Sequence, residues 1–218
     1  MIDFLFSLIY PNKCIVCFDI IKDGYECAKC TSKNYFACFS CEKKHEKTSE
    51  RNSFVYEGVP KEVILKFKFS KKPFMAKGLA YYMHKYISPK IWEGIDFLTF
   101  VPIHKKKMRS RGFNQAELLA NELGKLTNLP VKNCLIRAKH TEALKGISKD
   151  DRAEVIKDAI FHNEKIDVLN KKILIIDDIY TTGATIEKCS DVLLFAGAFY
   201  VDYASFCIVE KKNKEEIL

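Results

Sequence analysis

No apolar run in this chain approaches the roughly 20 residues that a membrane-spanning helix needs. The first ten residues come nearest, but they include Asp3, lack a basic leader and read as an amphipathic packing segment rather than a signal peptide or a span. A cytoplasmic protein is therefore expected, in which nine cysteines serve metal rather than disulfides. Internal repeats and low-complexity tracts are also missing, which excludes a repeat array. Acids are scarce in two places. Lys61, Lys66, Lys68, Lys71, Lys72 and Lys77 face only Glu62 in their stretch, and Lys105, Lys106, Lys107, Arg109 and Arg111 form a cluster with none. With a formal net charge of +8, the two clusters fit a polyanionic partner, although solvated lysine faces give the same composition.

At 218 residues the chain exceeds one average domain and falls short of two large ones, so a main domain with a small appendage is expected. The boundary falls in the polar run 42–52, giving a cysteine-rich module over 1–50 and a larger domain over 51–218. Three Cys-x-x-Cys pairs crowd the module: Cys14 with Cys17, Cys27 with Cys30, and Cys38 with Cys41. Each tight turn presents two thiolates to one ion, and two turns complete a tetrahedral Zn²⁺ site. Two arrangements remain open. Either the first and third pairs share an ion while the middle pair recruits His45, or the first two pairs alone form a ribbon. In both, zinc is structural, because so short a segment buries too little core to fold alone and all-Cys zinc leaves no open coordination position.

Beyond residue 52 the pattern alternates. Residues 54–56 read as strand, 63–69 as strand-like or mixed, 73–86 as helix, 95–103 as a buried strand, then a basic loop, a helix over 114–126, a buried strand from 173, a helix over 186–195 and a closing strand over 200–209. Such alternation predicts an α/β fold with a parallel sheet whose ligands sit beyond the carboxyl ends of the strands. The segment beginning Ile173-Leu174-Ile175-Ile176 carries the chemistry. It ends in Asp177 and Asp178 and passes through Thr181, Thr182, Gly183, Ala184 and Thr185 into a helix. A helix amino end favours an anion, glycine allows close backbone approach, and threonine hydroxyls add donors. The two carboxylates suit ribose hydroxyls or a hydrated Mg²⁺. The parts together describe a ribose 5-phosphate site.

This segment resembles the phosphoribosyl diphosphate (PRPP) motif of the type I phosphoribosyltransferases. Residues 101–115, with Arg111-Gly112-Phe113-Asn114-Gln115, resemble the corresponding stretch of the ComF family, competence-associated proteins that join a zinc module to a phosphoribosyltransferase domain. Phe4-Leu5-Phe6 leading to Pro11 and Cys14, and Val55-Tyr56-Glu57-Gly58 with Lys66-Phe67-Lys68, agree with it. The resemblance implies a type I phosphoribosyltransferase fold preceded by a zinc module. It implies that Asp177 and Asp178 orient the ribose, that residues 181–185 anchor the 5-phosphate, and that Lys105, Lys106 and Arg109 or Arg111 face the pyrophosphate. It further implies that Arg152 faces a phosphate. The partners it implies for the chain are PRPP with Mg²⁺, incoming single-stranded DNA and other DNA-uptake proteins; the alternatives are an active phosphoribosyltransferase or a PRPP-sensing regulator. The chain departs from the family in having Leu144 where Gln is usual and Val155 where Asn is usual. Thr181 also stands where some purine-salvage relatives carry a carboxylate.

Overall fold

Ile173, Leu174, Ile175 and Ile176 are wholly buried, as consecutive branched side chains are when both faces of a strand are covered. They lie in β5 (Lys172–Tyr180), an interior strand of a four-stranded sheet in the computed structural model of the chain. The structure describes residues 12–32, 50–137 and 160–210. Before β5 come α1 (Ala28–Thr31), β1 (Asn52–Val55), α2 (Gly58–Phe69), α3 (Met75–Tyr86), a 3-10 turn (Pro89–Ile91) and β2 (Phe97–Phe100). These are followed by α4 (Lys105–Arg111), α5 (Gln115–Thr127), β3 (Leu135–Arg137) and β4 (Ile160–His162). After β5 come α6 (Ala184–Phe195) and β6 (Tyr200–Ile208). The strands lie side by side as β1, β6, β5, β2 and every neighbouring pair is parallel. β3 and β4 form a separate antiparallel ribbon. The expected α/β fold with a parallel core is what the chain adopts.

Helical spacing supplies the covering layers. α3 buries Met75, Leu79 and Met83 along one stripe and lies against β1 and β6; beside it α5 buries Leu119, Ala120 and Leu123 against β5 and β2. α6 contributes Ile186, Cys189 and Leu193 and packs on β5, β6 and the β4 ribbon. Two sequence expectations are corrected. Residues 63–69 are not strand-like but the second half of α2, where Val63, Ile64 and Phe67 share the buried side. Their branched side chains imitate a strand, yet Pro60 in the first turn suits a helix start and would break a ladder. The basic segment expected as a loop is the helix α4.

Residues 12–32 dock on the main sheet domain. Cys14, Ile15, Val16 and Cys30 belong to the same apolar cluster as α3. Gly78 permits that approach, since a Cβ there would stand 2.6 Å from Ile15 Cγ2. Lys66 Nζ donates to the Val16 carbonyl at 2.9 Å, and Lys72 Nζ lies 3.4 Å from the centre of the Phe18 ring. Among the described residues no helix is long and apolar enough to cross a membrane. Residues 1–11, Cys38, Cys41 and His45, and the segment with Thr141, Leu144, Arg152 and Val155 lie outside the described residues.

Candidate functional site

The carboxyl end of β5 brings Asp177 and Asp178 to the edge of the sheet, immediately before residues 181–183 turn into α6. Gly183 makes the turn possible. Its φ of 86° lies in the left-handed region, and a side chain there would run into the Tyr180 hydroxyl. Gly183 at the N-cap position has no side chain to cap α6; Thr181, Thr182 and Ala184 are exposed, and Gly183 and Thr185 half-buried. Thr182 Oγ1 accepts from the Ala184 amide at 3.4 Å, which folds the loop back on the helix start.

The two carboxylates have different surroundings. Asp178 is 7 % exposed and its Oδ1 lies 3.0 Å from Lys68 Nζ at the end of α2. Asp177, half-buried as a residue, accepts the Asp178 amide at 2.8 Å. Burial, followed by repulsion from Asp178, pushes the Asp177 carboxyl up to about 8, against the partial opposition of the Asp178 amide, Lys68 and Arg137. An added cation, or a donor that favours the ionised form, relieves that penalty, and a ribose with a bound divalent ion offers both.

The basic helix stands beside this edge. β2 pairs with β5, the Val101 amide donates to the Ile176 carbonyl at 3.1 Å, and α4 begins four residues later. His104 caps α4 through the Lys106 amide at 3.1 Å. Buried Asn114 donates to the Val101 carbonyl at 3.0 Å and accepts the Ala116 amide at 3.1 Å, joining the strand end to the start of α5. Lys105, Lys106 and Arg109 are exposed. Arg111 is engaged within the turn: its Nη1 donates to Gln115 at 3.0 Å and its guanidinium lies 5.6 Å from the Phe69 ring centre.

Of the lysine cluster expected to face a polyanion, the structure places Lys68 beside the carboxylates of the candidate site. Lys66 and Lys72 bind the cysteine module. Sequence spacing cannot show a pairing across 110 residues of chain (178 minus 68). The only local signal was the Lys66-Phe67-Lys68 segment itself.

In the module, the Sγ atoms of Cys14, Cys17, Cys27 and Cys30 all lie within 4.8 Å of one another, with Cys17 and Cys27 at 3.6 Å. Tetrahedral zinc with sulfur at about 2.3 Å needs sulfurs about 3.8 Å apart, so the donor set fits a Cys₄ ion. Burial pushes the Cys17 thiol up to about 11; at Cys14, amides of Cys17, Cys27 and Val16 outweigh burial and hold the thiol below its ordinary value. The first two pairs therefore come together as a ribbon. Of the two arrangements left open by the sequence, this is the one that uses the first two pairs; Cys38 and Cys41 lie outside the described residues.

No family model matches the chain. It is 27 % identical over 193 residues to Competence protein F of Haemophilus influenzae, covering 83 % of each chain. To Competence protein ComFC of Bacillus subtilis it is 30 % identical over 154 residues, covering 67 % of this chain and 58 % of that one. Among solved structures, glutamine phosphoribosylpyrophosphate amidotransferase from B. subtilis aligns at 16 % identity and a TM-score of 0.45, over 65 % of this chain and 30 % of that one.

Proposed function

Since the chain belongs to the ComF family of competence proteins, we propose that it binds PRPP or ribose 5-phosphate at the β5–α6 junction and handles single-stranded DNA during DNA uptake in the cytoplasm. One observation carries the sugar-phosphate reading: a carboxylate pair, a Thr-Gly turn and a helix amino end lie consecutively at the carboxyl edge of a parallel sheet. Thr181, Thr182 and Thr185, with the amides of Gly183 and Ala184, take the 5-phosphate. Asp177 takes the ribose hydroxyls, and Lys105, Lys106 and Arg109 balance the pyrophosphate from the neighbouring edge. A Mg²⁺ ion held at this carboxylate edge would supply charge neutralisation between the protein and the diphosphate. The Cys14, Cys17, Cys27 and Cys30 ion is structural zinc, and the chain divides functionally at about residue 50.

For DNA, α4 exposes Lys105, Lys106 and Arg109, and its Arg111 lies over the ring of Phe69. Phe69 is 68 % and Phe74 41 % exposed, a combination suited to a single strand that offers phosphates and stackable bases. The test is to titrate PRPP with Mg²⁺ by calorimetry and a labelled single strand by anisotropy, and to assay pyrophosphate release with a panel of nucleobases. Binding of both ligands without turnover is expected. Turnover would move the reading to an active phosphoribosyltransferase, and binding of neither would end it.

A further inference from the structure

The end of α2 joins four parts of the molecule through four consecutive residues. Lys66 donates to the Val16 carbonyl in the cysteine module at 2.9 Å, and Phe67 meets Phe113 beside the buried Asn114 with ring centres 5.7 Å apart. Lys68 pairs with Asp178 at 3.0 Å, and the ring of Phe69 lies under Arg111 of the basic helix. Three of these contacts hold the fold. The fourth places a cation inside the sugar-phosphate site.

We propose that Lys68 is the resident counterion of that site: it neutralises and fixes Asp178, leaving Asp177 as the carboxylate that meets the sugar and its metal. The proposal rests on the sugar-phosphate reading and deepens it by dividing the roles of two carboxylates that sequence treats as equivalent. The side chains of Lys68 and Asp178 are 17 % and 10 % exposed, so the pair is largely withdrawn from water, where removing one partner leaves an uncompensated charge. Alternation along β5 sends the two carboxylates to opposite faces. Asp178 makes the ion pair with Lys68 and lies by Cys207, whereas Asp177 lies by Cys189 and feels the charges of both Lys68 and Arg137. Lys66 and Phe67, fixed on either side of the helix end, hold Lys68 in place before any ligand arrives. Lys68 is thus a positioning residue, and the metal that accompanies the sugar has one carboxylate to neutralise rather than two.

The test compares PRPP affinity by calorimetry with Mg²⁺ and with a chelator, in the full chain and its variants. Lys68→Met should weaken binding about tenfold more without Mg²⁺ than with it, because both carboxylates then depend on the ion. Lys68→Arg should keep the wild-type ratio. Lys68→Met/Asp178→Asn, which leaves no charge unpaired, should restore that ratio and is the variant to rely on if Lys68→Met alone does not fold. In thermal unfolding, Lys68→Met should lower Tm in the wild-type background and not in Asp178→Asn. An unchanged magnesium ratio, or an equal loss with and without the ion, overturns the proposal while leaving the sugar-phosphate reading standing. A wild type that binds no PRPP overturns both.

Discussion

Asp177 carries a cost that its neighbours only partly relieve. Burial first, and the Asp178 charge second, raise its carboxyl to about 8 from an ordinary 3.8. With the folded value above the unfolded one, the stability this group contributes is fully present below about pH 4 and is lost as pH rises through about 8. Asp177→Asn should therefore resemble wild type near pH 4 and be more stable at pH 9. Because Asp177 is partly open to solvent, the gain is about 1–2 kcal/mol, equivalent to about 2–8 °C in Tm, read by calorimetry across that range. A wild type that keeps pace with Asp177→Asn at pH 9 would show that the carboxyl titrates normally. The types of both carboxylates are plain in the sequence. Their inequivalence is not, because it depends on Lys68 and Arg137, which reach the pair from α2 and β3.

Between strand and helix, the turn at Gly183 bears the geometry of the site. Gly183→Ala forces a side chain into a left-handed backbone and against Tyr180, costing about 1–3 kcal/mol. The substitution should weaken PRPP by about tenfold or more; an alanine variant binding as wild type would mean that the turn does not cradle phosphate. At the adjacent edge, Lys105→Glu/Lys106→Glu should weaken both PRPP and single-stranded DNA, measured by calorimetry and anisotropy. Loss of DNA binding alone would take α4 out of the pyrophosphate site. The elements that the sequence displays best are those whose pattern comes from burial on two faces or one stripe: Ile173 to Ile176 in β5, Met75, Leu79 and Met83 in α3, and Leu119 and Leu123 in α5. α2 is misread because Val63 and Ile64 are strand formers held helical by what they pack on. α4 is missed because none of its residues is buried, so no apolar stripe announces it.

For the molecule as a whole, the cysteine module is bound to the sheet domain through α3 and through Lys66 on α2, whose neighbour Lys68 is in the candidate site. Metal analysis should find one zinc on Cys14, Cys17, Cys27 and Cys30, with Cys14→Ser/Cys17→Ser lowering the content by one per chain. A folded, metal-free protein would contradict the structural role. Stripping the metal should also weaken PRPP, since the Val16 carbonyl that holds Lys66 sits within the Cys14 to Cys17 turn. Binding of single-stranded DNA should fall with salt, log affinity against log salt sloping by about −0.7 for each phosphate neutralised. Salt-independent binding would exclude the basic helix as its seat. Sugar-phosphate binding centres on the junction of β5 and α6. Calorimetry of PRPP with Mg²⁺ on wild type and on Asp177→Ala/Asp178→Ala tests it directly. Wild type should show saturable one-site binding and the double variant about tenfold or greater weakening, larger with Mg²⁺ than without. Undiminished affinity in a folded double variant would contradict it.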